Sequence, residues 1–338
     1  MDIKALVQTK EYGFLRTDPH LGDRIILLGV GGSYGYGTNR EGSDVDLRGI
    51  ALNRPSDLLG LTSFEQFTDD KTDTVIYSFN KIVRLLLNCN PNIIELFGLE
   101  DYIVLTETGR ELLDHKELFL SKRAAYSFGH YAESQLRRLE NAVARDSMTQ
   151  SDRERHIMIS VGHALDEFNR HHTDRDKGSF SLYIDKAETE GLDDEIFVDA
   201  SLKHYPLRAY NEMMNTLNAV VRDYDRIRKL GQKKDDLHLN KHAMHLVRLY
   251  MMAIDILQDG VIRTRRTPEE LELLGRIRDG EFMRDDRMLP EFYEIVAEYK
   301  SRFEEAARGS RLPENPDPEK VEAFVESVNR RVVENVVE

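Results

Sequence analysis

The sequence predicts an α+β protein whose front part mixes short strands with helices and whose remainder is all helical. Three observations carry this. "DRIILLGV" (23–30) is a short apolar run bounded by charge and by glycine, the pattern of a buried strand. "SDVDLRGIAL" (43–52) alternates, with Val45 and Leu47 on one face and Asp44 and Asp46 on the other. From about Leu118 the apolar residues recur at helical spacing over long stretches.

In chain order, "TDTVIYSF" (72–79) is a third strand candidate. "NKIVRLLL" (80–87) has helical spacing, and Pro91 restarts a helix in "NPNIIELFGL" (90–99). Five long segments follow with helical periodicity, at 121–146, 155–172, 207–230, 240–260 and 267–280. The last two end in Gly260 and Gly280, residues suited to the left-handed position after a helix. Thr267-Pro268 followed by Glu269 and Glu270 marks a helix start. "NRHHTDRDKGS" (169–179) reads as a polar loop, in which His171 and His172 face water. "GSRLPENPDPEK" (309–320) is a proline-rich break before an acidic final helix with Val321, Phe324, Val328 and Val332 on one stripe. The expected organisation is a catalytic domain over 1–115, a helical domain over 116–308 covering its cleft, and the break with its helix over 309–338.

Composition narrows the function. The chain has 338 residues, 40% of them hydrophobic and 32% charged, enough for a sizeable core. Its one cysteine, Cys89, excludes a disulfide framework and any cysteine-based zinc site. "MDIKALVQTKEYGF" lacks the apolar core of a signal peptide, and no apolar run approaches the ~20 residues of a membrane span. A cytoplasmic protein without membrane contact is expected. The net charge of −14 argues against nonspecific coating of nucleic acid. It leaves room for local basic clusters, "RIRKLGQKK" (226–234) and "RTRR" (263–266).

The segment "GVGGSYGYGTNREGSDVDLRGIAL" (29–52) concentrates the chemistry. Two carboxylates at i and i+2 of a strand point the same way and repel each other unless cations compensate. Aspartate oxygens suit Mg²⁺, which also binds substrate phosphates, and two such ions serve phosphoryl-type transfer. A strand that enters a helix through Gly31, Gly32 and Ser33 presents backbone N–H groups and a hydroxyl to phosphate. A hairpin with surface acids is the plainer reading of the same residues.

At this spacing the segment resembles the signature of the DNA polymerase β-type nucleotidyltransferase superfamily. Gly32-Ser33 matches its Gly-Ser turn, and Asp44 and Asp46 match its metal-binding pair. The resemblance implies a polymerase-β-like domain, two Mg²⁺ ions (or Mn²⁺) and a third carboxylate from a nearby strand. Asp73 in "KTDTVIYSF" is the candidate, with Asp69, Asp70 and Glu95 as rivals. It would complete the metal site and take the proton of the attacking hydroxyl. "NPNIIELF" (90–97), "FGHYAESQLRRL" (128–139), "KHAMHLVRLYMMAIDILQDG" (241–260) and "LLGRIRDGEF" (273–282) are similar to the RlaP/YcgL group of nucleotidyltransferases associated with RNA repair. That group implies transfer of NMP from an NTP, ATP first, to an acceptor hydroxyl, with an RNA 3′ end as the leading acceptor. A protein or small-molecule hydroxyl is the alternative acceptor, and a catalytically silent nucleotide-binding regulatory module is the alternative class.

Further contacts are expected from residue types and spacing. Ser43 joins Gly32 and Ser33 in holding phosphates. Lys241, His242, His245 and Arg248 recur on one helical stripe and would grip a triphosphate or an acceptor phosphate. His238, His242 and His245 also have zinc-ligand spacing, a weaker reading with no cysteine near. Tyr131, Gln135 and Arg138 are one helical face that would meet an acceptor, Tyr131 by stacking on a base and Gln135 at a base edge.

Overall fold

The computed structural model describes residues 3–146, 150–172, 178–189, 193–207, 210, 213–215, 217–218, 236–284 and 287–335. The chain divides into two compact units. The first comprises Met1–Arg137, Asn240–Phe282 and Leu289–Glu338, and the second Arg138–Leu239 and Met283–Met288. These units cross the boundaries expected at 115 and 308, because the first unit is closed by two later segments of the chain.

The first unit is built on a five-stranded sheet in the order β3-β4-β2-β1-β5. Its strands are β1 (Ile25–Val30), β2 (Leu47–Ala51), β3 (Gln66–Asp69), β4 (Thr74–Ser78) and β5 (Tyr102–Leu105). β2 and β4 run parallel, and the other neighbours are antiparallel. Central strands carry the apolar runs: Leu27, Leu47, Ile50 and Ile76 have no exposed surface. The edge strands β3 and β5 are short and only partly covered.

Local signals set the helix starts. α1 (Gly32–Tyr36) follows β1 directly. α2 (Phe79–Leu86) begins at Ser78, whose side chain accepts the Lys81 N–H. α3 (Pro91–Ile94) has Asn90 as its cap and proline in its first turn, and runs into a 3₁₀ turn at Glu95–Gly98. α4 (Glu107–Asp114) is capped by Thr106. Gly109 lets α4 press on β1, since a Cβ there would lie 2.2 Å from the Ile26 carbonyl oxygen. The long helices are α5 (Arg123–Asp146), α6 (Gln150–His172), α7 (Asp236–Asp259), α8 (Pro268–Arg278), α9 (Pro290–Gly309) and α10 (Pro318–Val333). The expected stripe Val321, Phe324, Val328 and Val332 of α10 is buried within the first unit, where Phe324 meets the rings of Phe79, His115 and Phe119.

The second unit is not all helical, which corrects the sequence expectation. α6 packs on an antiparallel hairpin, β6 (Gly178–Lys186) with β7 (Asp194–Leu202). Ile157, Val161, Leu165 and Phe168 of α6 share a core with Phe180 and Met213. Asn169 fixes the join, accepting the Phe180 N–H at 2.9 Å and donating to the Phe180 carbonyl. Most of the expected helix at 207–230 and the cluster "RIRKLGQKK" lie outside the described residues.

Candidate active site

The site begins where β1 ends. Gly31 leads into the single turn of α1, and Gly37, at φ +73°, closes it with its N–H on the Ser33 and Tyr34 carbonyls. The glycine pair is required by two carboxylates. Gly32 has φ +54°, and a Cβ there would sit 1.7 Å from Asp46 Oδ2. A Cβ on Gly31 would meet Glu95 Oε1 at 3.4 Å. The Gly31 N–H donates to the Asp46 carbonyl at 2.9 Å, which locks the turn to the segment before β2.

Asp44 and Asp46 lie in the extended stretch just ahead of β2 rather than inside the strand, whose ladder starts at Leu47. The alternation holds there nonetheless: Val45 and Leu47 are buried, Asp44 is exposed and Asp46 is partly buried. The parallel register pairs Leu47 with Thr74, so the residues before each, Asp46 and Asp73, become neighbours. Asp73 occupies a turn at φ +43° ahead of β4, not the strand itself. Its carbonyl accepts the Leu47 N–H at 3.2 Å.

The two carboxyls lie beside the same Arg48 guanidinium and act on each other's ionisation. Burial, then the hydrogen bond and charge of Asp73, push Asp46 up to about 7, against the pull of Arg48. The bond with Asp46 and the charge of Arg48 hold Asp73 below its ordinary value. Arg48 Nη2 lies 2.9 Å from Asp73 Oδ1 and 4.0 Å from Asp46 Oδ1. Arg48, a further candidate functional residue, continues the alternation Asp44, Asp46, Arg48 on one face, and that is the sequence signal for it.

Glu95 closes the other side of the turn. Its partly buried carboxylate accepts the Tyr36 hydroxyl at 3.1 Å, and the nearby Gly32 N–H favours its charged form. Burial raises it, and Arg248, Tyr36, Arg48 and Gly32 act against the rise. Gly32 makes room for the Asp46 carboxylate at the start of the turn. Ser33 remains partly exposed, with its carbonyl bonded by Thr38. Ser43 Oγ accepts the Arg40 N–H at 2.8 Å and shapes the loop. Of the rivals for the third carboxylate, Asp69 accepts from Thr72, and Asp70 is exposed.

The expected stripe on α7 splits. Lys241 is exposed and His242 partly so, while Arg248 is buried. The Arg248 guanidinium lies 3.6 Å above the Tyr36 ring and donates to His245 Nδ1 at 2.8 Å. An arginine can only donate, so His245 accepts through Nδ1 and is neutral. Burial, then Arg248 and His242, hold its pKa well below the ordinary value. Tyr131 stands edge-on to His245, with ring centres 6.0 Å apart. Gln135 is buried, and Arg138 is exposed.

Of the "RTRR" cluster, Arg263 and Arg266 are bound to Asp255 at 3.1 and 2.9 Å. Arg265 is exposed beside Gly37. Arg278 donates to the Thr38 carbonyl, and Arg40 pairs with Asp279, so α8 holds the loop between α1 and Asp44.

The donors are carboxylate oxygens, the type a hard divalent cation takes. Arg48 Nη2 lies near oxygens of both Asp46 and Asp73, and Asp44 is exposed two residues away. Among the described residues no three or more histidine, cysteine, aspartate or glutamate side chains are gathered so as to hold a metal ion, and the side chain of His238 lies outside them. No helix among the described residues is long and apolar enough to cross a membrane.

Nothing matches among curated proteins or among solved structures. Residues 6–158 match the model of RlaP, described as the RNA repair pathway DNA polymerase beta family. The matched segment holds the glycine turn, Asp44, Asp46, Arg48, Asp73 and Glu95, and its small mixed sheet suits that assignment. Over residues 6–158, a little under half of its length, the chain is thus similar to the RlaP family of polymerase β type.

Proposed function

We propose that the protein transfers a nucleoside monophosphate from an NTP, ATP first, to an acceptor hydroxyl. One observation carries the reading: within the family-matched segment, the Asp46 and Asp73 carboxyls meet beside a glycine turn at the end of a strand. Asp44, Asp46 and Asp73 would hold Mg²⁺, which supplies charge stabilisation at the phosphates and lowers the cost of ionising the attacking hydroxyl. Ser33 and the N–H groups of α1 not engaged by Glu95 bind the phosphates. Arg48 keeps Asp73 ionised and turned toward Asp46. The acceptor oxygen forms a bond to the α-phosphorus, the bond to the pyrophosphate oxygen breaks, and the Asp46–Asp73 pair takes the hydroxyl proton.

The RNA 3′ end is the leading acceptor, on the family description. A protein or small-molecule hydroxyl is the second reading. It is favoured by the net charge of −14 and by Asp255, which neutralises two of the arginines in the "RTRR" cluster. Each NTP, labelled at the α-phosphate, is to be incubated with Mg²⁺ and total tRNA, an RNA oligomer or no acceptor. The Asp44→Ala/Asp46→Ala protein is the control. Label on RNA that the control lacks supports terminal transfer. Label on the protein itself moves the reading to the second acceptor class, and no label with any NTP or acceptor overturns transfer altogether.

A further inference from the structure

We infer that Glu95 and Arg248 are positioning residues that hold the glycine turn, and through it Asp46, in working shape. This rests on the reading of the turn as the nucleotide-transfer site. Nothing about hydrophobic packing calls for a carboxylate beneath this turn, and withdrawing one from water is costly unless it is compensated. The fold compensates it from four directions: the Tyr36 hydroxyl, the Gly32 N–H, Arg248 and Arg48. Two of these, Tyr36 and Gly32, belong to α1 itself. Glu95 therefore grips the first and last residues of that turn, while Gly31 and Gly32 are bare so that Glu95 and Asp46 can approach from either side.

Arg248 is the counterweight. It is buried, its guanidinium lies flat on the Tyr36 ring, and it reaches the neutral His245. Its Nε has no hydrogen-bond partner among the described residues, so the site is not arranged to satisfy the arginine for its own sake. In this position Arg248 fixes Tyr36 by stacking and offsets the charge of Glu95. Arg248 thus works through the turn, whereas a phosphate-gripping arginine would act on the substrate directly. Tyr36 also touches Met252 Sδ at 3.9 Å, which ties the same ring to the next turn of α7.

The test is a double-mutant cycle in the full chain with Glu95→Gln and Arg248→Met. It reads melting temperature, Mg²⁺-ATP affinity by titration calorimetry, and turnover. Arg248→Met leaves the Glu95 charge without its main counterweight. It is expected to lower turnover about a hundredfold and to lower the melting temperature, with the affinity for Mg²⁺-ATP changed less than about threefold. The double variant, which removes both charges, is expected to recover about tenfold in turnover and part of the lost melting temperature. Independent, additive losses in melting temperature overturn the inference. So does a loss confined to Mg²⁺-ATP affinity with an unchanged melting temperature, because Arg248 would then touch the nucleotide. If the wild-type protein turns over no NTP, the transfer reading fails, yet coupling of the melting temperatures still decides whether the pair holds the turn.

Discussion

Burial and the neighbouring Asp73 bring the Asp46 carboxyl to about 7, against an ordinary 3.8. The folded protein keeps this proton to higher pH than the unfolded chain, so the Asp46 contribution to stability falls as pH rises from its ordinary value to about 7. Asp73 runs the other way: its lowered value adds stability above the ordinary carboxylate range, lost as pH falls through the folded-state value. In metal-free protein, Asp46→Asn is therefore expected to raise the melting temperature at about pH 8 and to change it little below about pH 4, while abolishing transfer. Thermal scans at the two pH values check the sign. The glycines give a second prediction. Gly32→Ala forces a Cβ into the Asp46 carboxylate at a positive φ, so turnover and stability should both fall. Gly42 has φ +79° with nothing within 4 Å of a Cβ, so Gly42→Ala should cost only about 1 kcal/mol of backbone strain. Asp44 and Asp46 were legible because strand alternation and a preceding glycine turn are local patterns. Arg48 obeys the same alternation and was equally readable. Glu95 was legible only as a rival for the third carboxylate: its contact with Tyr36 joins residues 59 positions apart, and no local pattern marks it.

At the scale of elements, the meeting of Asp46 and Asp73 is a consequence of register. One parallel pairing, Leu47 with Thr74, fixes which turn residue stands beside Asp46, and a shift by one residue would replace Asp73 with Thr72 or Thr74. The candidates for β1, the β2 segment and β4 were visible because central strands carry apolar runs. β3 and β5 are four-residue edges with only partly buried faces, so they lack a strong signal. The hairpin of β6 and β7 carries a weak signal: Phe180, Leu182 and Ile184 alternate with polar residues, but its charged flanks resemble a loop between helices. Helix signals were stronger where capping is chemical. Thr267 and Glu270 form a reciprocal capping box at the start of α8, whose last residue, Arg278, bonds the Thr38 carbonyl of the site loop. Thr267→Ala should cost about 1 kcal/mol, read as a lower urea midpoint with an unchanged slope.

For the whole molecule, the family-matched segment and the compact unit differ in extent. The match ends at residue 158, whereas the unit that contains the site also needs 240–282 and 289–338. Those later segments supply interior rather than decoration. Arg248 and Met252 of α7 meet Tyr36, Ile262 packs on Gly98, and the Thr264 hydroxyl donates to the Gly98 carbonyl at 2.7 Å. α10 places Phe324 among Phe79, His115 and Phe119, and Arg331 pairs with Glu111. Phe324→Ala should cost about 3 kcal/mol by leaving a cavity among these rings, a loss that chemical denaturation would measure. A fragment of residues 6–158 lacks α7 and α10 together, and so exposes the face of the sheet and helices that they cover. It is expected to show no cooperative thermal transition, whereas the full chain melts cooperatively. A cooperative melt of the fragment would mean that the matched segment carries its own core, and that the return of α7 over the glycine turn is an addition to the site instead of a condition for it.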